Sequence, residues 1–443
     1  MPKIATHTLG CKLNFAETSA IVRQFMEAGY QAVDFHQHAD LYIINTCTVT
    51  AVAEKKCRNA IRQAITQNPH AEVAVIGCFA QNSAVQIANI PGVTYIVGNN
   101  DKHRLLQIVE GQLTQTPLIS NVAASKETQP KTFLDPLTTF DLSYSIGDRT
   151  RTFFKIQDGC DYFCTYCAIP RARGRSRSAD IRRTMAVARE IADSGAKEVV
   201  LTGVNTGTFG QHYGEHLIDL LKQLDQLPNI ERFRISSIEP NLLTDEIIDF
   251  VAHSRHFAHH FHVPLQAGSD KVLKVMHRRY TTQFFADKLA TIKRLMPDCC
   301  IAADLMVGFY GESDDEFSQS CQYIEALPLS YLHVFTYSER PNTLALTFKE
   351  RVPVEERRRR SEVMHEISEQ KKQTFYESQA GTRQQVLWES DVKEGNLLGF
   401  TSNYLRVACP YEADKVNTME EVFLSKTFPN DLFSCTSATP RKA

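Results

Sequence analysis

Three cysteines lie within eight consecutive residues, and their spacing constrains the local fold more than any other feature of the chain. Cys160, Cys164 and Cys167 form a C-x3-C-x2-C run shortly after a predicted strand, Thr152–Ile156. So short a loop can present three thiolates to an iron–sulfur cubane, which usually takes four. Residues 168–190 contain no further Cys or His, so one metal position would stay open, as in catalytic sites. A structural zinc loop, which needs a fourth ligand, is the alternative.

A second set of cysteines is spread over the first part of the chain. Each follows a predicted strand: Cys11 follows Lys3–His7, Cys47 follows Leu41–Asn45, and Cys78 follows Glu72–Gly77. Because the carboxyl ends of parallel strands share one edge of a sheet, these thiols are expected to converge on one site. Chance burial of three cysteines is the alternative. Cys57 falls inside a predicted helix, Val52–Gln67, and does not fit this pattern.

Four regions of the chain differ in their sequence pattern. In residues 1–113 strands alternate with helices, which predicts a doubly wound parallel sheet. Residues 114–145 are rich in Thr, Ser, Pro and Gln and are interpreted as a linker. Residues 146–376 predict a partial parallel (β/α)6 barrel, and residues 379–441 predict a small all-β barrel. The six expected barrel strands are Thr152–Ile156, Glu198–Thr202, Arg232–Ser236, Phe261–Pro264, Ile301–Val307 and Tyr331–Thr336.

Composition limits the cellular setting and the possible partners. Lys and Arg number 49 and Asp and Glu number 51, a net charge of −2, so any nucleic-acid contact must come from a local patch. No apolar run approaches the ~18 residues of a membrane span, and the start lacks a signal pattern. We therefore expect a cytoplasmic protein without membrane contact. Twelve cysteines in a reducing compartment favour metal binding or catalysis over disulfides.

The sequence around the first cysteine run carries a family resemblance. Residues 157–178 read QDGCDYFCTYCAIPRARGRSRS and resemble the methylthiotransferase branch of the radical S-adenosylmethionine superfamily. The resemblance implies two 4Fe–4S clusters, one on Cys160, Cys164 and Cys167 and one on Cys11, Cys47 and Cys78. It also implies two S-adenosylmethionine molecules per turnover, one as a radical source and one as a methyl donor.

The same resemblance implies partners and a substrate. The expected partners are a tRNA anticodon stem-loop, a reductant protein such as flavodoxin or ferredoxin, and a sulfur donor, with the chain acting as a monomer. Residues 10–14, GCKLN, resemble the group that methylthiolates N6-threonylcarbamoyladenosine. Enzymes acting on N6-isopentenyladenosine or on a ribosomal protein are the alternatives within the family. A non-enzymatic, metal-stabilised RNA-binding protein is the alternative outside it. The tail resembles the RNA-binding TRAM domain.

Polar residues at strand ends are the candidate S-adenosylmethionine contacts. Such ends collect the catalytic groups of parallel barrels. By resemblance the contacts are Tyr166 in the cysteine loop, with Gly203, Asn205, Ser236, Glu239, Gly308 and Glu312 at the strand ends.

A local basic run is the candidate RNA contact. Residues 171–189 hold seven Arg against one Asp, a density that attracts phosphate, although a solvated basic loop is the alternative. The RNA-binding candidates are Arg171, Arg173, Arg175, Arg177 and Arg340. Arg171 and Arg340 are also the candidates for binding the threonylcarbamoyl carboxylate.

We interpret the remaining cysteines and a group of histidines as structural residues without a metal. Zinc ligands must face one point, whereas the five histidines run from a helix end into a strand: His253, His256, His259, His260 and His262. No ligand spacing connects the other cysteines, which are Cys57, Cys299, Cys300, Cys321, Cys409 and Cys435.

Overall fold

Parallel strands alternate with helices along most of the chain in the computed structural model, which describes residues 1–115, 130–147, 150–426 and 431–438. The chain divides into two units. Unit 1 comprises Met1–Ser145, Phe153–Ala179 and Ser338–Leu346, and unit 2 comprises Ile146–Thr152, Asp180–Tyr337 and Thr347–Ala443. Within the described ranges, no helix is long and apolar enough to cross a membrane.

Unit 1 is built from short strands and five α-helices in its described part. The strands are β1 (Lys3–Thr8), β2 (Gln31–Val33), β3 (Leu41–Thr46), β4 (Glu72–Gly77), β5 (Tyr95–Val97), β6 (Lys131–Phe133), β7 (Ser143–Tyr144), β8 (Thr152–Lys155), β9 (Gln157–Asp158) and β10 (Arg177–Ser178). The helices are α1 (Lys12–Glu27), α2 (Ala51–Gln67), α3 (Cys78–Ala88), α4 (Leu105–Val109) and α5 (Ile169–Arg173), with a 3-10 turn at Lys102–Arg104.

A six-stranded parallel sheet organises unit 1, with strand order β2-β1-β3-β4-β5-β6. Alternate side chains of β3 enter different cores. Tyr42 and Ile44 pack with Ile61 of α2, whereas Ile43 packs with Phe25 of α1. Both faces of the sheet are therefore covered by helices, which confirms the doubly wound parallel arrangement.

Two strands of this sheet were not predicted, and one of them lies in the expected linker. β6 pairs with β5 through Tyr95 and Lys131, although residues 114–145 were interpreted as a linker. Three-residue edge strands such as β2 and β6 carry too few residues for a periodic pattern. Residues 116–129 of the expected linker lie outside the described residues.

The first part of unit 2 continues the alternation of strands and helices. Its strands are β11 (Glu198–Thr202), β12 (Arg232–Ile235), β13 (His260–His262), β14 (Cys300–Val307) and β15 (Tyr331–Thr336). Its helices are α6 (Ile181–Asp193), α7 (Leu217–Leu224), α8 (Asp245–His253), α9 (Asp270–Val275), α10 (Thr282–Leu295), α11 (Asp314–Ala326) and α12 (Val354–Gln379). Short 3-10 turns occur in unit 2 at Thr206–Thr208, Gln211–Tyr213 and Ala413–Lys415, and the turn Leu344–Thr347 begins in unit 1.

These strands pair in parallel, as the alternation predicts. β11 pairs with β12, and β13, β14 and β15 pair in sequence order. A single parallel bridge between Phe233 and Phe257 connects β12 to the chain that enters β13. The observed strands lie within one or two residues of the predicted ones. Their assembly into a partial (β/α)6 barrel stays a prediction.

The C-terminal part of unit 2 is a closed barrel of five strands. In barrel order these are β16 (Arg383–Lys393), β17 (Asn396–Thr401), β18 (Arg406–Pro410), β20 (Phe433–Ser437) and β19 (Met419–Leu424). Trp388, Val407 and Phe433 are fully buried in its core. This confirms the expected small all-β barrel, while its relation to the TRAM domain stays a prediction.

A buried ion cluster connects β12 to this barrel within unit 2. Glu198 accepts hydrogen bonds from Arg232 Nε at 2.6 Å and from Arg234 Nε at 3.1 Å. The two guanidinium groups also donate to backbone carbonyls of β16 and β17, for example from Arg232 to Phe400 at 2.9 Å. Burial opposes ionisation of Glu198, but Arg234 and Arg232 hold its pKa below the ordinary range.

Replacing Glu198 with alanine tests this cluster. We expect the free energy of unfolding to fall by ~3–5 kcal/mol, because two buried guanidinium groups lose their counter-charge. Urea unfolding followed by tryptophan fluorescence measures the loss, since the one tryptophan, Trp388, lies in the barrel core. Because the pKa is lowered, this stabilisation is present above pH ~4.3 and is lost as the pH falls.

Glu231→Ala is the matched control. Glu231 precedes β12 and pairs with Lys197 at 3.0 Å with both side chains partly exposed, so we expect a loss of about 0–1 kcal/mol. Equal losses in the two variants would contradict the role given to Glu198.

Candidate functional site

Three cysteines meet at the carboxyl edge of the six-stranded sheet. Cys11 follows β1 and immediately precedes α1, Cys47 follows β3, and Cys78 is the first residue of α3. Burial raises the pKa of the Cys47 thiol to about 12, and repulsion from Cys78 and Cys11 adds to the shift. Cys11 and Cys78 stand at the N-termini of α1 and α3, so the first backbone N–H groups of both helices lie at this edge. The edge therefore offers three thiol ligands, as the strand order predicts.

Glycines leave the space that these thiols occupy. A Cβ on Gly10 would lie 2.9 Å from Cys47 Cβ and 3.1 Å from Cys47 Sγ. A Cβ on Gly77 would lie 2.4 Å from Asn45 Oδ1. Both residues have positive φ, +104° and +94°, which favours glycine. The backbone thus approaches Cys47 as closely as a glycine permits.

Cys57 lies closer to this site than its helical position suggested. Its thiol is fully buried, accepts a hydrogen bond from Cys47 N at 3.4 Å and donates to Cys47 O at 3.5 Å. Burial raises its pKa to about 11. Cys57, Ala60 and Ile61 lie on one buried face of α2. This helical spacing of apolar residues is the sequence pattern that could have predicted burial of Cys57.

The second group of thiols lies on the tight loop between β9 and α5 in unit 1. Gly159, with φ +72°, passes so close to the chain that a Cβ would lie 2.0 Å from Arg175 O. Cys160 N donates to Gly174 O at 3.1 Å, and Cys167 N donates to Cys164 O at 3.0 Å. Tyr162 N donates to Cys160 Sγ at 3.5 Å, a type of contact that tunes iron–sulfur clusters.

The arginines after this loop divide into exposed and buried groups. Arg171 is exposed, and Arg175 has 76% of its side chain exposed. Arg173 is 1% exposed and donates to Asp158 Oδ1 at 2.9 Å. Arg177 donates to backbone carbonyls, including Arg173 O at 2.7 Å. Burial takes Arg173 out of reach of a phosphate, contrary to the expectation for it, whereas the RNA contact expected of the partly exposed Arg177 stays a prediction.

Arg340 is also placed differently from the expectation. It is buried, and its Nη1 pairs with Glu54 Oε1 at 2.7 Å. Glu54 in turn accepts a hydrogen bond from Thr48 at 2.6 Å. The guanidinium of Arg340 is therefore held against a carboxylate of α2, and its expected contact with RNA or with threonylcarbamoyl stays a prediction.

In unit 2, two buried hydroxyls at strand ends fit a polar ligand. Thr202 Oγ1 at the end of β11 and Ser236 Oγ just after β12 are buried, and neither has a hydrogen-bond partner among the described residues. Gly203 and Asn205 follow the first of these strands. Buried polar atoms are normally paired, so a ligand with hydroxyl, amine or carboxylate groups, such as S-adenosylmethionine, fits these ends.

The two predicted carboxylates are already engaged inside unit 2. Glu312 accepts from Gly308 N at 2.8 Å and from Arg360 at 3.1 Å, so it shapes the turn that begins at Gly308. Glu239 forms a buried ion pair with Arg278. Both carboxylates are thus oriented by the protein. Tyr166 lies half-buried on the cysteine loop of unit 1.

Of the five histidines considered for zinc, His262 belongs to a group of three possible ligands, with Asp304 and His333, whose ligand atoms lie within 4.8 Å of one another in the described part of the chain. Its Nε2 lies 2.8 Å from Asp304 Oδ1, and Asp304 is the register partner of His333. The Nδ1 atom of His262 lies 2.9 Å from Ser237 Oγ. Ser237 and Asp304 therefore hold the imidazole ring of His262 in place through both of its nitrogens.

Two family models match separate parts of the chain. Residues 3–98 match the model described as Uncharacterized protein family UPF0004, and residues 154–324 match that of the Radical SAM superfamily. A solved radical S-adenosylmethionine methyltransferase, TsrM from Kitasatospora setae, superimposes with a TM-score of 0.56 at 15% identity, covering 78% of this chain and 77% of that one. This likeness concerns the fold alone.

Curated relatives match over nearly the whole length. Threonylcarbamoyladenosine tRNA methylthiotransferase MtaB of Bacillus subtilis (strain 168) is 38% identical over 433 residues, covering 96% of this chain and 94% of the relative. tRNA-2-methylthio-N(6)-dimethylallyladenosine synthase of Desulfitobacterium hafniense (strain Y51) is 28% identical over 432 residues, covering 95% and 94%.

Gly159→Ala tests whether the tight loop is needed to present its thiols. A Cβ at 2.0 Å from Arg175 O forces the backbone to shift and moves Cys160. We expect the variant to hold about half of the parent's iron after anaerobic reconstitution, measured by chemical iron analysis.

Gly111→Ala is the control, because Gly111 has a similar φ of +75° with nothing within 4 Å of the added Cβ. It should keep the parent's iron content while losing about 1 kcal/mol of stability to backbone strain. Full iron in both variants would show that the close approach at Gly159 is dispensable.

Proposed function

Because the chain belongs to the methylthiotransferase family of radical S-adenosylmethionine enzymes, we propose that it methylthiolates ring carbon 2 of N6-threonylcarbamoyladenosine beside the anticodon of tRNA. Two 4Fe–4S clusters and S-adenosylmethionine are the cofactors of this family. When bound, they supply radical chemistry, which an aromatic C–H requires because it offers neither an acidic proton nor a leaving group.

The second cluster is assigned to the sheet edge because three cysteines that follow parallel strands meet there. Cys11, Cys47 and Cys78 hold it at the sheet edge, and Cys160, Cys164 and Cys167 hold the cluster that binds S-adenosylmethionine. Three thiols in each set leave one iron without a protein thiolate, which suits the binding of a small ligand.

The strand ends of unit 2 are assigned to S-adenosylmethionine. Ser236 offers a buried hydroxyl without a partner in the described residues, and Asn205 offers a buried amide close to the same strand ends. Gly203 and Gly308 allow close backbone approach. Glu239 and Glu312 act as anchored carboxylates within this group. The contact expected from Tyr166, which lies on the cysteine loop of unit 1, rests on the family resemblance.

Three observations support the threonylcarbamoyl substrate. The stretch Gly10–Asn14 resembles the group with this specificity. Relatives named for threonylcarbamoyladenosine are 30–38% identical over 91–98% of this chain, against 28–29% for relatives named for dimethylallyladenosine. Exposed Arg171, four residues after Cys167, offers a cation for the threonylcarbamoyl carboxylate. The isopentenyl group is a hydrocarbon without a carboxylate and offers such a cation no partner.

Competition between two tRNA pools tests the substrate. One pool carries threonylcarbamoyl and the other isopentenyl on the same adenosine, and both are offered to the reconstituted enzyme with S-adenosylmethionine and a reductant. We expect the methylthio mass increment mainly on the threonylcarbamoyl nucleoside, read by mass spectrometry of digested tRNA. A mass increment mainly on the isopentenyl nucleoside would overturn the substrate and leave the reaction class in place.

Arg171→Gln separates carboxylate recognition from phosphate binding. A charge-assisted hydrogen bond contributes ~1.5–3 kcal/mol, so we expect the preference for threonylcarbamoyl over isopentenyl tRNA to fall by about tenfold or more. A phosphate contact would instead weaken both tRNAs equally.

Arg175→Gln is the paired variant for the phosphate contact. We expect it to weaken both tRNAs alike and to flatten the log–log salt dependence of binding by roughly 0.7–0.9, measured by filter binding. If Arg171→Gln behaves in the same way as Arg175→Gln, Arg171 binds phosphate and the carboxylate lies elsewhere.

A further inference from the structure

Five ionisable side chains are buried together in unit 1, close to both sets of cysteines. Glu17 of α1 accepts hydrogen bonds from three cations: Lys102, Lys155 at 2.8 Å and Arg173 at 3.1 Å. Asp158 accepts from Arg173 at 2.9 Å and pairs with Lys155 at 3.2 Å. All five are nearly inaccessible to solvent, with side-chain exposures of 1–7%.

The cluster carries an excess of positive charge. Lys102, Lys155 and Arg173 face the two carboxylates of Glu17 and Asp158, and the partly exposed Arg177 adds a cation 3.7 Å from Asp158, so positive charges outnumber negative ones. Burying ions costs several kcal/mol each, and apolar residues of similar volume often stabilise a fold equally well. A buried set with an uncompensated cation therefore suits an anion bound beside it.

Two asparagines connect this cluster to the thiols at the sheet edge. Asn14 Oδ1 accepts from Arg173 Nη2 at 2.6 Å and lies 3.9 Å from Cys11 Sγ. Asn99 Oδ1 accepts from Lys102 Nζ at 2.6 Å, while its Nδ2 lies 3.5 Å from Cys78 Sγ. One amide thus separates each of these two thiols from a cation of the cluster.

The cluster also reaches the cysteine loop. Asp158, which Arg173 holds, is two residues before Cys160. Asn99 Nδ2 donates to the carbonyl of Ala172, the neighbour of Arg173, at 2.6 Å. An arginine stays charged at neutral pH, and hydrogen bonds to Asp158 at 2.9 Å and to Glu17 at 3.1 Å fix the position of Arg173. Arg173 is therefore a fixed cation between the two sets of thiols.

We infer that the buried positive charge of Arg173 raises the reduction potential of the cluster held by Cys11, Cys47 and Cys78. Reduction adds a negative charge to an already anionic, thiolate-bound site, so a nearby cation stabilises the reduced form. This inference rests on the cluster assignment under the proposed function.

The test uses the full-length chain with Cys160, Cys164 and Cys167 changed to alanine, so that one cluster remains to be titrated. Its reduced fraction is followed by electron paramagnetic resonance at poised potentials. Into this background we introduce Arg173→Gln and, separately, Glu17→Gln. The first removes a positive charge and the second removes a negative charge from the same buried group.

We expect opposite shifts in the two variants. Arg173→Gln should lower the ratio of reduced to oxidised cluster at a fixed potential by about tenfold, equivalent to about 59 mV for a one-electron couple. Glu17→Gln should raise that ratio. A general disturbance of packing would move both variants in the same direction, so the sign distinguishes an electrostatic role from a merely structural one.

Two controls complete the design. Arg173→Lys keeps the charge and should stay close to the background potential, and Arg62→Gln removes an exposed arginine of α2 in the same unit and should leave the potential unchanged. Should Arg173→Gln not fold, Glu17→Gln still decides the question: a raised ratio supports the inference. Unchanged potentials, or shifts of one sign, overturn it. Absence of iron from the background protein refutes the cluster assignment instead.

Discussion

Parallel pairing of β1, β3 and β4 is the constraint on which the candidate site depends. In a parallel sheet every strand delivers its next residues to the same edge, and here those residues are Cys11, Cys47 and Cys78. The pairing also starts α1 and α3 at that edge, so that helix N-termini face the thiols. Residues 67 positions apart in sequence thereby become one set of ligands without any local motif.

Close backbone packing around the thiols depends on glycines at positive φ. Gly10 and Gly77 allow the chain to pass Cys47 and Asn45, and Gly159 allows the cysteine loop to lie against Arg175. These positions have little room for a side chain, so the shape of each ligand set is fixed by the backbone. Hydrogen bonds such as Tyr162 N to Cys160 Sγ then come from the same rigid segments.

Elements with strong local patterns could be predicted from the sequence, and long-range choices could not. The buried strands β3, β4 and β14 follow from periodicity and lie close to their predicted bounds, and the strands of the small barrel lie within the predicted residues 379–441. The short strand β6 carried no pattern, because its place depends on pairing with β5. Arg173 and Arg340 resembled surface cations in sequence, since a run of arginines does not reveal which members meet a buried carboxylate. Glu17 and Glu54, which do bind them, are distant in sequence.

The arginines of residues 171–177 therefore alternate between exposed and inward-facing positions. Arg171 and Arg175 point to solvent, whereas Arg173 and Arg177 turn inward to Asp158 and the backbone. α5 ends at Arg173, and Gly174 with φ +73° reverses the chain before Arg175. One short segment thus carries exposed cations available to an anionic substrate and buried cations beside the thiols. Arg177 Nη1 donates to the carbonyls of both Arg173 and Arg175, which ties the backbone on either side of Gly174 together. Under the proposed function, the exposed pair then meets RNA while the buried charges keep their partners.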